Sequence, residues 1–170
     1  KNIITINYNN IDEYEQVIKK IGSNNIAAII IEPVQGQDIN LPDKNYLSKI
    51  CNISKKNNII TIFDEIKCGL GRTGNIFEFL DHNCTPDIVT TSKALGGGKN
   101  AISAMIASKK IFLKAYGPIK KSSLHTTTFF GLGEACATAI ETLNIISNQN
   151  FLKQINKSSS YFINELNKIK

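Results

Sequence analysis

Tryptophan is absent from this chain, methionine and arginine occur once each, and only two histidines and four cysteines are present. Cys51, Cys68, Cys84 and Cys136 show no Cys-x-x-Cys spacing, and His82 and His125 make no helical ligand pair. No zinc or other metal site is therefore expected, and the thiols are read as reduced. Long apolar runs are missing too. No stretch approaches the roughly 18 apolar residues of a membrane span, and residues 1–25 hold no apolar leader core. The expectation is a cytoplasmic protein with no membrane partner.

The 170 residues, 42% hydrophobic and 20% charged, suit one packed domain. The net charge of +6 is carried by lysines scattered in pairs such as Lys55-Lys56, Lys109-Lys110 and Lys120-Lys121. No aromatic residues are interleaved as a stacking platform would need, so no nucleic-acid partner is expected.

Periodicity organises the chain. Tyr14, Val17, Ile18 and Ile21 share one face of a helix over Ile11–Ile21, with Asn10 and Glu13 as a capping pair and Gly22 as its stop. The apolar run Ile26–Ile31 reads as a buried strand, residues 44–58 as a helix and Ile59–Phe63 as a second strand, which together make a βαβ unit. Ile88–Thr91 follows a Cys84-Thr85-Pro86-Asp87 turn as a third strand, and Ala101–Ala107 is a further candidate. Ala135–Ile146 and the apolar positions from Phe151 to Ile169 predict two helices. This alternation indicates an α/β fold with a mostly parallel sheet flanked by helices.

Two strand ends carry chemistry. Asp64 follows Ile59-Ile60-Thr61-Ile62-Phe63, and Lys93 follows Ile88-Val89-Thr90-Thr91-Ser92. An unpaired carboxylate in apolar core costs several kcal/mol, roughly, so Asp64 calls for a cationic partner. A lysine at a neighbouring strand end, followed by Gly96-Gly97-Gly98, supplies the amine for a Schiff base, and Asp64 the carboxylate for a pyridinium nitrogen. Those are the requirements of a pyridoxal phosphate site.

Around that pair run Asp64-Glu65-Ile66-Lys67-Cys68-Gly69-Leu70-Gly71-Arg72-Thr73-Gly74, then Pro86-Asp87-Ile88, then Ser92-Lys93-Ala94-Leu95-Gly96-Gly97-Gly98. With Glu32-Pro33-Val34-Gln35-Gly36 upstream and His125-Thr126-Thr127-Thr128-Phe129 downstream, this ordered set closely resembles class III aminotransferases of the ornithine or putrescine type. The resemblance implies a fold-type I, pyridoxal-phosphate-dependent large domain. Residues 1–150 would be its central part, and residues 151–170 a helix leading towards a small C-terminal domain absent here. Members of the family are roughly twice this length or more, beyond one typical domain, so the resemblance implies a fragment.

By the same resemblance, Lys93 is the Schiff-base lysine and proton shuttle, and Asp64 the partner of the ring nitrogen. Thr128 reaches the cofactor phosphate of the other subunit of a homodimer, and Glu32 is a carboxylate beneath the substrate. Glu65 supports the loop, Arg72 fixes its turn as an ion-pair partner, and His125 is structural. Lys67 stands where the family usually has a glutamine that supports the cofactor's phenolic oxygen; a lysine can donate there too, and would repel a charged Lys93. Gln37 replaces a common glutamate, and Phe129-Phe130-Gly131-Leu132 departs from the usual Phe-Gly-Gly-Asn. The implied reaction is transamination from a diamine or ω-amino acid, ornithine-like, to a 2-oxo acid such as 2-oxoglutarate. Alternative readings are a class III racemase or aminomutase, or a catalytically silent dimer of the same fold.

Overall fold

The computed structural model describes residues 3–117, 119–121, 124, 125, 128 and 130–169. Helix α1 spans Ile11–Ile21, strand β1 Ala28–Ile31, helix α2 Tyr46–Lys56 and strand β2 Ile60–Asp64. Strand β3 spans Ile88–Thr91 and strand β4 Ala104–Ala107, before helices α3 (Lys109–Tyr116), α4 (Gly133–Ile146) and α5 (Gln149–Asn167).

The first helix starts where its sequence directs. Asn10 Oδ1 accepts from the Glu13 amide at 3.0 Å, and Gly22, at φ 85°, closes the other end through its N–H to the Ile18 carbonyl. The Glu13 carboxylate reaches back to the Asn7 amide, 2.8 Å away, rather than to Asn10 itself.

The four strands lie in the order β1-β2-β3-β4, with the first three parallel and β4 antiparallel to β3. Register aligns Ile31 with Phe63 and Phe63 with Val89. The carboxyl ends of β1, β2 and β3 therefore meet along one edge, where open α/β sheets bind ligands. The anticipated mostly parallel α/β fold is the one observed.

Two apolar cores hold this sheet. On one face, Ile31 and Phe63 pack with Tyr14 of α1 and with Tyr46, Leu47 and Ile50 of α2. Leu47, Ile50 and Phe63 are completely buried, each contributing about 1.5–3 kcal/mol. Within this core the Tyr14 hydroxyl and Ser54 Oγ share a buried hydrogen bond of 2.8 Å, locking α1 onto α2. A second core joins Leu70 and Leu95 to Ala139 and Ile146 of α4 and Leu152 of α5, so the loops after β2 and β3 rest on the last two helices.

Strand β2 and helices α2 and α4 differ from their expected bounds by one or two residues at an end, and three further departures have a visible local cause. The strand read over 26–31 begins at Ala28, because the Ile26 amide closes a turn on the Ser23 carbonyl at 3.1 Å. The strand read over 101–107 begins only at Ala104, because the Gly96 carbonyl accepts from both Lys99 and Asn100 and keeps the chain turning. Helix α3 has no counterpart in the sequence reading, yet Ser108 caps it by accepting from the Ile111 amide, and Phe112 packs on Tyr116 one turn on.

Ser54→Ala should lower stability by about 1–3 kcal/mol by stranding the buried Tyr14 hydroxyl. Adding Tyr14→Phe should cost clearly less than the sum of the single changes, measured by urea unfolding of a double-mutant cycle.

Candidate functional site

Parallel pairing brings Glu32, Asp64 and Thr90 to the same level, each at or just beyond a strand end. Beyond Thr91 the chain does not continue as strand. Lys93 opens a short 3-10 turn, Lys93–Gly96, with φ at 42°. A non-glycine residue held in the left-handed region costs of order 1–3 kcal/mol and persists only where its surroundings enforce it. Here the enforcement is visible. Ser92 Oγ donates to the Ile102 carbonyl at 2.9 Å, Leu95 is buried in the second core, and Gly97, at φ 59°, lies so close to α4 that a Cβ there would stand 2.8 Å from Thr142 Oγ1. Asn100 Nδ2 also donates to Thr138 Oγ1 at 2.7 Å. The lysine's backbone is thus clamped while its side chain is exposed.

Asp64 is half-buried, and its Oδ1 accepts from the Ile66 amide at 3.0 Å. It has no cationic partner among the described residues, contrary to the electrostatic expectation, because the turn amide meets one oxygen and partial exposure hydrates the group. Glu65 takes the buried role instead. It is fully buried, and its two oxygens accept from the Glu78 amide at 3.1 Å, the Phe79 amide at 3.0 Å and the Cys68 thiol at 3.2 Å. Burial raises its carboxyl above the ordinary range, and those hydrogen bonds pull the other way. Burial likewise pushes the Cys68 thiol upward, reinforced by the Glu65 carboxylate. The expected loop-supporting part of Glu65 is what the structure displays. The Asp-Glu pair at a strand end marked the position, but the amides it holds are 13 and 14 residues away.

A cleft of about 380 Å³ opens beside this edge, lined by Val34, Gln35, Gly36, Ile39, Lys67, Cys68, Arg72, Thr73 and Lys93. Lys67 and Lys93 therefore face one space. Gly36 has no side chain where the Lys67 stem runs, and a Cβ there would overlap it. Glu32 and Asp64 do not line the cleft. Glu32 Oε2 accepts from the Gly36 amide at 3.0 Å, folding the turn whose Gly36 the Lys67 stem crosses. Arg72 is exposed and makes no ion pair among the described residues, so its expected loop-fixing ion pair is not made; the loop closes through backbone bonds from Leu70 to Ile76 and from Gly71 to Asn75. Thr128 lies exposed in a turn, while Thr126, Thr127 and Phe129 of its motif fall outside the described residues. The His125 ring meets the Tyr116 hydroxyl. A larger hollow of about 530 Å³ between Asn9–Asp12 and Asp43–Lys49 holds none of these groups. The described residues contain no His/Cys/Asp/Glu cluster fit for a metal ion, and no helix long and apolar enough to cross a membrane.

The donor set fits a planar, anionic, aldehyde-bearing ring. Two amines and a guanidinium line a cleft whose other walls are largely apolar, and a carboxylate with one oxygen unpartnered among the described residues stands at the adjacent strand end.

A family model described as aminotransferase class III matches residues 3–170. Among solved structures, the chain is similar to the ornithine δ-aminotransferase of Plasmodium falciparum, with 29% identity, coverage of 99% of this chain and 41% of that one, and a TM-score of 0.84. It is also similar to the ornithine aminotransferase of Toxoplasma gondii, whose structure is described as having partial occupancy of PLP at the active site (29%, 96% and 37%, TM-score 0.85). The acetylornithine aminotransferase of Elizabethkingia anophelis is a third (30%, 97% and 40%, TM-score 0.83). The chain spans about two fifths of the length of these relatives.

Glu65→Gln should destabilise the protein by about 1–3 kcal/mol, since an amide NH2 would face a backbone N–H. A raised folded-state value means that the native carboxyl holds its proton longer than the unfolded one. The stability it contributes is therefore complete below the unfolded value of about 4.3 and declines as pH rises through the folded value. The difference between wild type and variant should shrink with rising pH across that window in urea unfolding; a constant difference would refute the assignment.

Proposed function

The chain belongs to the class III aminotransferase family, and on that premise we propose that the whole protein is a pyridoxal-phosphate-dependent aminotransferase working as a homodimer in the cytoplasm. It moves the amino group of a diamine or ω-amino acid, ornithine-like in shape, to a 2-oxo acid such as 2-oxoglutarate. The observation that carries this reading is the shared edge: parallel register aligns Glu32 and Asp64, and Lys93 follows β3 there, facing the cleft that Lys67 also lines.

When bound, pyridoxal phosphate supplies an aldehyde that takes up amino groups and a ring that accepts electrons as the donor's C–H bond breaks. Lys93 would be the residue whose Nζ holds the cofactor's aldehyde carbon, and its amine, when free, would take the proton from the donor carbon as that C–H bond breaks. The Asp64 oxygen left free by the Ile66 amide keeps a proton on the ring nitrogen through a charge-assisted bond. Lys67, its stem laid over Gly36, donates to the phenolic oxygen. Thr128 offers a hydroxyl to the cofactor phosphate bound by the other subunit, and Glu32 lies on the substrate side of the edge. The donor leaves as an aldehyde or ketone, and the 2-oxo acid leaves as an amino acid.

Borohydride reduction of the whole protein after incubation with pyridoxal phosphate should leave one stable adduct, on Lys93, that peptide mapping locates and that Lys93→Ala abolishes. Labels spread over many lysines would refute the assignment.

Gly36→Ala should weaken pyridoxal phosphate binding about tenfold, equivalent to about 1.4 kcal/mol, by displacing the Lys67 stem. In a Lys67→Ala background the same change should cost little, read by absorbance titration.

A further inference from the structure

Between Lys93 and Asn100 the chain is curled by its own backbone. The Leu95 amide donates to the Ser92 carbonyl at 2.9 Å, the Gly97 amide to the Ala94 carbonyl at 3.0 Å, and the Lys99 and Asn100 amides both to the Gly96 carbonyl, at 2.9 and 3.1 Å. Such bonds set the curl of the segment but not its seat on the rest of the molecule. Leu95, in the second core, supplies apolar contact, which has no direction. Among the described residues, direction comes from one side-chain bond. Asn100 Nδ2 donates to Thr138 Oγ1 on α4 at 2.7 Å, whereas the Ser92 hydroxyl stays within the loop, on the Ile102 carbonyl. The acceptor is itself fixed: the Thr138 hydroxyl gives its hydrogen to the Glu134 carbonyl at 3.0 Å, which leaves its lone pairs for Asn100. Thr142, one turn on along the same helix face, donates to the Thr138 carbonyl at 2.8 Å and stands close to Gly97. Asn100 and Thr138 are both half-buried, so their bond is partly shielded from water.

We propose that Asn100 and Thr138 are positioning residues for Lys93: their bond seats the lysine turn on α4 and so fixes the direction in which the lysine side chain leaves the sheet edge. The inference rests on the functional reading above, in which Lys93 holds pyridoxal phosphate. Neither Asn100 nor Thr138 lines the cleft; both act through the backbone of Lys93. That backbone stands at φ 42°, a conformation that persists only while its surroundings enforce it. Rotation about a backbone bond swings an amine carried on a long flexible stem, so a small relaxation of the turn becomes a larger displacement of Nζ. A misplacement of about 1 Å can cost roughly a hundredfold in a reaction that depends on alignment. The requirement is for a hydroxyl at position 138, because both of its bonds, one received and one given, need the oxygen rather than the bulk of the side chain.

The experiment compares the whole protein with its Thr138→Val, Thr138→Ser and Asn100→Ala variants and with the Asn100→Ala, Thr138→Val double variant. Three quantities are read: the rate at which added pyridoxal phosphate becomes trappable by borohydride on Lys93, the circular dichroism induced in the bound cofactor, and the thermal unfolding midpoint. Thr138→Val and Asn100→Ala should each slow loading by about tenfold and weaken the induced dichroism. Thr138→Ser should track the wild type, and the double variant should be no worse than either single change. The proposal is overturned if Thr138→Val lowers only the unfolding midpoint, if Thr138→Ser fails as Thr138→Val does, or if the two single effects add. A wild type that takes no pyridoxal phosphate on Lys93 would overturn the functional reading itself, and this inference with it.

Discussion

The structure around the site depends on one buried carboxylate. Glu65 follows β2, whose last residue, Asp64, is a proposed cofactor ligand, and its two oxygens collect two distant amides and a thiol. Those bonds turn a long connection between β2 and β3 into a fixed scaffold. They return the chain to the sheet so that β3 can pair in parallel with β2 and deliver Lys93 to the same edge. A carboxylate in that position without its donors would carry the full penalty of a buried, unpaired group. Scaffold and carboxylate are therefore mutually dependent, and Asp64 is left at the edge with one oxygen unclaimed among the described residues.

Strain is handled in the same way. The positive φ of Lys93 is held between the Ser92 hydroxyl bond on one side and the packing of Leu95 and Gly97 against α4 on the other. Helix α4 thus acts on the lysine through backbone contact at the following glycines. At Gly97 both the left-handed conformation and the closeness of Thr142 disfavour a side chain, which gives that glycine a structural reason independent of any ligand.

Much of this was legible in the sequence, for identifiable reasons. Apolar runs marked β1 and β2, because a strand of a parallel sheet carries apolar residues on both faces, although among the described residues burial alternates along β2. Asn10 and Gly22 marked both ends of α1 through local hydrogen bonds. The long-range features were less visible. The third strand was read with its observed ends, Ile88 and Thr91, but the packing of the lysine turn against α4, about 40 residues downstream, left no local signal. Arg72 was read from its Gly-Arg-Thr-Gly setting as an ion-pair partner, but side-chain pairing follows tertiary proximity, and backbone bonds alone close that loop. Helix α3 had its signals in Ser108 and the Phe112–Tyr116 spacing, hidden by the apolar run of β4 before it.

The two faces of the sheet also differ in what they do for the site. Ile31, Phe63 and Val89 face the core of α1 and α2, whereas register puts Asp64 on the opposite face with Thr90 and Met105, above Ile62 and Ile30. Ile30 is 69% exposed and Met105 57%. The electrostatic worth of Asp64 depends on the cover over that face. Opposite charges 4 Å apart attract by about 1 kcal/mol in bulk water and about 4 kcal/mol at an effective dielectric constant of about 20. The same carboxylate is thus a weak ligand on a wet sheet and a strong one under a covered one. The strength with which Asp64 could hold a cationic partner therefore depends on what covers the exposed face, while the described residues fix the geometry.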